Sequence, residues 1–187
     1  MGSKGESNRQ LIVEAADQLF YTRGYHQTSF RDISDATGIP RGNFYYYFKT
    51  KDEILDAVVD TRIADLTIML NHCEAETDDA RERLMMFVNM LEAKRDDVMQ
   101  SGCPIGTLSS ELAKDDSALH EISRQAFVLL RNWIKQQFDV LGLANADDLA
   151  MDLLAKLQGV TVMACAFKDT DFIIRSQEDI KDWIKNK

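Results

Sequence analysis

Apolar residues recur at three- and four-residue spacing through almost the whole chain, and no stretch alternates in twos, so the pattern predicts an all-α protein. A first helix carries Leu11, Ile12, Ala15, Ala16, Leu19 and Phe20 on one face and ends at Gly24. Two short patterns, Phe30-Ile33-Ala36 and Phe44-Phe48, flank Gly38. A long stripe follows Thr50, from Ile54 and Leu55 through Val58, Val59, Ile63 and Leu66 to Leu70. Thr77-Asp78-Asp79 starts a fifth helix with Leu84, Phe87, Val88 and Leu91, broken at Gly102. Pro104 opens a short helix to about Lys114, and Ser117 begins a long one that ends at Gly142. Asn145 caps an eighth with Leu149, Leu153, Leu157, Val160 and Ala164, and Ser176 opens a last short amphipathic helix to about Lys185. The expectation is nine helices, three in an N-terminal head (6–50) and six in a body (51–187).

Residues 28–55 carry the most specific chemistry. Ser29 with Asp32 three residues on is a variant capping box. Gly38 supplies the positive φ of a tight turn, Ile39 is its buried apolar residue, and Pro40 suits the first turn of the next helix. Arg41, Gly42 and Asn43 occupy the exposed start of that helix, with Phe44 and Phe48 facing inward and Tyr45, Tyr46 and Tyr47 outward or sideways. Thr50 and Glu53 cap the helix that begins at Lys51, and a helix N-terminus with a lysine suits a phosphate. This is a helix-turn-helix written for the major groove of double-stranded DNA. Arg41 and Asn43 are the candidates for base edges, Tyr45 for a thymine methyl or a phosphate, and Ser29, Arg31, Tyr46, Tyr47 and Lys51 for the backbone.

Over roughly residues 8–55 the chain resembles the tetracycline-repressor (TetR/AcrR) family of bacterial regulators. The resemblance rests on Thr28-Ser29, Ile33-Ser34, Gly38, the run Gly42-Asn43-Phe44-Tyr45-Tyr46-Tyr47-Phe48, and Lys51-Asp52-Glu53-Ile54-Leu55. Ser34 and Thr37 stand where alanines are usual, and Pro40 where serine or threonine is common. The resemblance implies a homodimer on an inverted repeat, a nine-helix protomer, and repression released by a small molecule. It also places the interface on the last two long helices, where Val160, Ala164, Phe172, Ile180 and Trp183 offer apolar surface.

The net charge of −9 changes the picture only through its distribution. Residues 1–51 hold seven Lys/Arg and five Asp/Glu, a net +2, which leaves −11 on the remainder. An acidic body behind a mildly basic head presents one end to DNA. Three well-separated cysteines point to the reducing cytoplasm, and the isolated His26, His72 and His120 give no metal spacing, so no cofactor is expected. No leader and no membrane-spanning apolar run are read from the pattern. Hydrolase, P-loop and dinucleotide fingerprints are absent, and acid pairs such as Asp78-Asp79 read as helix starts, which argues against an enzyme.

The body should hold the effector. Met86, Phe87, Met90, Ile105, Leu108, Phe127, Leu130, Trp133 and Met163 are the candidates for an adaptable apolar wall around an apolar or aromatic molecule. Cys103, in Gly102-Cys103-Pro104-Ile105-Gly106 at a helix start, is the candidate reactive thiol, whereas Cys73 and Cys165 read as core. The segment looks similar to one in part of the same family, where some members sense electrophiles. Two rival readings keep the fold: a protein-interaction module that binds no DNA, and a DNA-binding activator.

Overall fold

The computed structural model describes residues 4–114 and 117–187, without the side chains of Lys4, Gly5, Arg41 and Ser117. The described residues are helical apart from short connections, and no strand occurs among them. In chain order the segments are α1 (Lys4–Arg23), α2 (Phe30–Thr37), α3 (Arg41–Tyr47), α4 (Lys51–Glu76), α5 (Ala80–Ala93), α6 (Arg95–Ser101), α7 (Pro104–Leu112), α8 (Ser117–Val140), α9 (Ala146–Phe167) and α10 (Thr170–Lys185). The nine-helix pattern holds, because α5 and α6 are one predicted helix interrupted at a single residue. Lys94 leaves helical geometry there, at φ −105° and ψ 11°.

Two boundaries differ from the sequence pattern. The last helix begins at Thr170 rather than Ser176, since Asp169 Oδ1 accepts the Phe172 N–H at 3.0 Å and caps it. Lys168, left-handed at φ 53°, ends α9 immediately before. Furthermore, α9 is long and apolar enough to cross a membrane by length and mean hydropathy, contrary to the expectation that no such run exists. Its Leu149, Ala150, Leu153, Leu154, Leu157 and Ala164 are instead buried as the central helix of a protein core.

Packing divides the chain otherwise than at residue 50. One compact unit comprises residues 1–64 and 107–125, the other residues 65–106 and 126–187. The first unit buries Ile12, Val13, Ala16 and Phe20 of α1 with Ile33 of α2, Phe44 and Phe48 around α3, and Ile54, Leu55 and Val58 of α4. Leu108 and Leu112 of α7 complete this core. Arg62 ties α4 to α1 through Asp17, at 2.6 Å.

The second unit packs Leu84, Phe87 and Val88 of α5 with Trp133, Ile134 and Phe138 of α8, the buried stripe of α9, and Ile173, Ile180 and Ile184 of α10. Its buried polar groups are paired. Trp133 Nε1 donates to Glu74 Oε1 at 2.8 Å, and Gln177 Nε2 donates to the Val88 carbonyl at 2.9 Å. Pairing of this kind avoids the roughly 1–3 kcal/mol that an unsatisfied buried donor costs.

Candidate nucleic-acid interface

The candidate reading surface grows from local sequence choices on either side of α2 and α3. Ser29 has extended geometry and its hydroxyl accepts the Asp32 N–H, while Asp32 accepts the Ser29 N–H at 2.8 Å, completing the capping box. The Ser29 hydroxyl and then its N–H hold the Asp32 carboxyl below its ordinary pKa, and Arg23 at 3.7 Å adds to this. Gly38, left-handed at φ 68°, ends α2 by donating to the Ser34 carbonyl at 2.9 Å. The turn is braced by the two residues that depart from the alanine pattern. Ser34, buried, donates from Oγ to the Ile39 carbonyl at 2.7 Å, and Thr37 Oγ1 accepts the Ile39 N–H at 3.3 Å.

Pro40 stands at the N-cap of α3. With Phe44 and Phe48 buried below, the helix shows Gly42, Asn43, Tyr45 and Tyr46 to solvent, Tyr46 being 82% exposed. A Cβ placed on Gly42 would meet nothing within 4 Å, so its missing side chain leaves an open surface. Phe30 stacks on Tyr45 at 6.0 Å between ring centroids and fixes it from α2. Tyr47 is half-buried, and its hydroxyl accepts from Asn8 Nδ2 at 3.2 Å. Arg31 is exposed beside Asp35, 3.6 Å away. Arg41 opens α3, but its side chain lies outside the described residues.

Lys51 stands apart from the other candidates. Thr50 Oγ1 accepts the Glu53 N–H at 3.1 Å and caps α4 as the pattern predicts. The Lys51 ammonium, however, donates inward to the Tyr25 carbonyl at 2.9 Å and the Thr28 carbonyl at 3.1 Å, and lies 4.0 Å from the centre of the Tyr25 ring. Burial pulls its pKa below the ordinary lysine value, partly opposed by Asp52 and Glu111. The free phosphate-clamping ammonium expected from sequence is thus engaged with the loop between α1 and α2.

The effector candidates do not converge on one cavity. Phe87, Leu130 and Trp133 are buried in the second unit's core, with Met86, Met90 and Ile105 packed against it. Leu108 belongs instead to the first unit's core. Phe127 is half-buried on α8. Met163 is exposed beside a groove of about 330 Å³ lined by Val160, Phe172 and Ile180.

The Gly-Cys-Pro-x-Gly segment has a physical reading within the second unit. Gly102 takes φ 77°, Pro104 opens α7, and Cys103 Sγ accepts from the Gly106 N–H and from Gln158 Nε2, each at 3.4 Å. A Cβ on Gly106 would fall 2.1 Å from Gln158 Oε1, so glycine is what lets Gln158 approach. Among the expected interface residues, Val160, Ala164 and Ile180 are buried within the protomer. The exposed large apolar residues of α9 are Met151, Val162, Met163 and Phe167, the last three grouped towards its end. Of these the sequence pattern singles out only Met163, and as an effector contact, because the others lie off the dominant apolar stripe. Sequence reasoning missed Glu111, whose carboxylate accepts the Tyr25 and His26 N–H groups.

Comparison with known proteins extends these observations. The profile described as "Bacterial regulatory proteins, tetR family" matches residues 12–58, and "Transcriptional regulator LmrA/YxaF-like, C-terminal domain" matches residues 80–178. An uncharacterized HTH-type transcriptional regulator from the lacX 3' region of Lactococcus lactis subsp. lactis is 29% identical over 182 residues, covering 93% of this chain and 91% of that protein. The HTH-type transcriptional repressor DhaR of Mycobacterium sp. (strain GP1) is 31% identical over 155 residues, 79% of this chain and 74% of DhaR. A crystal structure of a TetR-family transcriptional regulator from Agrobacterium tumefaciens superposes with a TM-score of 0.86 at 20% identity, over 96% of this chain and 98% of that one.

Proposed function

Because the chain belongs to the tetR family of bacterial regulatory proteins, and is thereby a DNA-binding transcriptional regulator rather than an enzyme, we propose that it is a cytoplasmic homodimeric repressor that leaves an inverted-repeat operator when an effector binds its body. The observation that carries the reading is α3: its aromatic underside is buried in a braced turn, while Gly42, Asn43, Tyr45 and Tyr46 are presented together.

In this reading Arg41 and Asn43 address base edges, Tyr45 a thymine methyl or phosphate, and Ser29, Arg31, Tyr46 and Tyr47 the backbone. Lys51 acts one step back, holding the loop that leads to Ser29. The exposed Val162, Met163 and Phe167 support pairing of two chains through α9, since a cluster of exposed apolar residues is costly to leave in water. Two-fold pairing would set the recognition helices about 34–36 Å apart, one turn of DNA. The sign of regulation follows the name of the relative DhaR, a repressor.

The effector is a small apolar or aromatic molecule met by Met86, Phe87, Met90, Phe127 and Trp133 after repacking of the body, or an electrophile that alkylates Cys103. Either must bind the DNA-incompetent state more tightly, and DNA must weaken its binding by the same factor. Selection of purified protein on random duplexes at near-physiological salt tests the whole reading. An enriched inverted repeat with half-sites one turn apart is expected. A folded dimer that enriches no sequence would overturn it in favour of an interaction module.

A further inference from the structure

The loop from Gly24 to Thr28 is held by groups of opposite charge, drawn from helices distant in sequence. Glu111, on α7, reaches it with both carboxylate oxygens: Oε2 accepts the Tyr25 N–H at 3.0 Å and Oε1 accepts the His26 N–H at 2.8 Å. Two successive amides converging on one anion form a backbone nest. Gly24 makes this approach feasible, for it adopts φ +93° and a Cβ there would lie 3.0–3.3 Å from the Glu111 carboxylate. Lys51 holds the carbonyl side, through Tyr25 O and Thr28 O. The loop is also tied to itself and to α4: Thr28 Oγ1 donates to the Gly24 carbonyl at 2.8 Å, and the Tyr25 hydroxyl donates to Asp52.

Thr28 is followed directly by Ser29, the N-cap of α2, so the loop sets where α2 begins. The apolar packing of α7 against this core is done by Leu108 and Leu112, and Glu111 adds the polar hold between them. We propose that Glu111 is a positioning residue for DNA binding, fixing the Tyr25–Thr28 loop and hence the start of α2 against the DNA backbone. The proposal rests on the reading of Ser29 and Arg31 as backbone contacts. Glu111 itself touches no DNA. Its loss weakens all operator sequences alike and leaves base preference intact.

The test compares the full-length protein with Glu111→Ala, Glu111→Gln and, as a control outside the nest, Glu121→Ala, whose carboxylate pairs with Arg124. Amide hydrogen exchange of the free protein reads the hold directly, and titration on the selected operator reads its use. Glu111→Ala should speed exchange of the Tyr25 and His26 amides at least tenfold and weaken operator binding at least tenfold, at a temperature where it remains folded. Glu111→Gln, which keeps one acceptor and sets an amide NH₂ against the other N–H, should recover part of both. Glu121→Ala should change neither. Unaltered exchange in Glu111→Ala overturns the hold, and faster exchange with wild-type operator affinity overturns its role in binding. Ser29→Ala and Arg31→Ala, titrated alongside, separate a failure of the backbone reading from a failure of the proposal.

Discussion

Lys51→Met distinguishes a loop staple from a phosphate clamp. The substitution keeps the aliphatic stem and removes an ammonium that donates at 2.9 and 3.1 Å to two carbonyls and sits 4.0 Å from an aromatic centre. A hydrogen bond from a charged donor contributes about 1.5–3 kcal/mol, and the side chain is half-buried, so the low end applies to each. The contact with the Tyr25 ring adds about 0.5–1 kcal/mol. Against this, methionine relieves the burial that already pulls the lysine pKa down. A net loss of about 2 kcal/mol follows from these bounds. Urea unfolding should show a lower midpoint with an unchanged slope. Operator titrations from low to moderate salt supply the second reading. A residue engaged with the loop releases no counterions, so the dependence of log K on log salt should match wild type although affinity falls. A phosphate ligand would instead lower the slope by about 0.9 per half-site. Wild-type stability together with that reduced slope would refute the staple.

Ser29→Ala should cost about 1 kcal/mol as a lost N-cap, measured by urea unfolding at neutral pH. The Ser29 hydroxyl holds the Asp32 carboxyl below its ordinary pKa, so the part of the stability linked to that carboxylate is full above the ordinary value and is lost as pH falls through the lower folded value; Ser29→Ala should therefore lose less stability than wild type on acidification. Gly42→Ala should leave thermal stability unchanged or raised, because alanine favours helix and open space surrounds the site, yet it should weaken operator binding if α3 approaches the bases closely; equal affinity would remove Gly42 from the interface. Cys103→Ser should abolish electrophile-induced release from the operator while leaving release by non-reactive effectors intact, and an unchanged alkylation response would assign the cysteine to packing alone.

What was legible in the sequence was what is local. Ser29, Gly38 and Thr50 mark helix ends because a cap and its partner lie within four residues of each other, so their pattern survives without knowledge of the fold. The participation of α7 in the first unit left no such trace. Leu108 and Leu112 are an ordinary i, i+4 apolar pair, equally suited to either core, and only the three-dimensional path assigns them to the one with Phe44 and Ile54. The same ambiguity underlies the expectation of Leu108 as an effector contact, whereas it packs in the first unit's core. Glu111 shows the limit more sharply, since its partners are 86 and 85 residues away and are backbone amides, which no side-chain pattern advertises. Lys51 was placed on the right helix and in the right turn, but sequence alone does not say which way a flexible four-carbon stem points.

The departures from the family's alanine pattern belong to the same account. At eight residues, α2 is too short to be stable alone, so its geometry must come from its attachments. At its start lie the Ser29–Asp32 box and the loop held by Lys51 and Glu111; at its end lie Ser34 and Thr37. Serine in a buried helical position would ordinarily cost stability, but here its hydroxyl satisfies the Ile39 carbonyl within the turn. Thr37 donates back to the Ile33 carbonyl at 3.0 Å and accepts from Ile39 on the other side, joining the last turn of α2 to the entry of α3. Alanines at both positions would pack, but would leave these turn groups without side-chain partners. A reading helix of seven residues set on such a turn is held in orientation by hydrogen bonds at both ends of its neighbour, and not only by the apolar contacts of Phe44 and Phe48. The head therefore presents a pre-formed surface, and under the proposed function sequence discrimination would fall to the few side chains at the exposed start of α3.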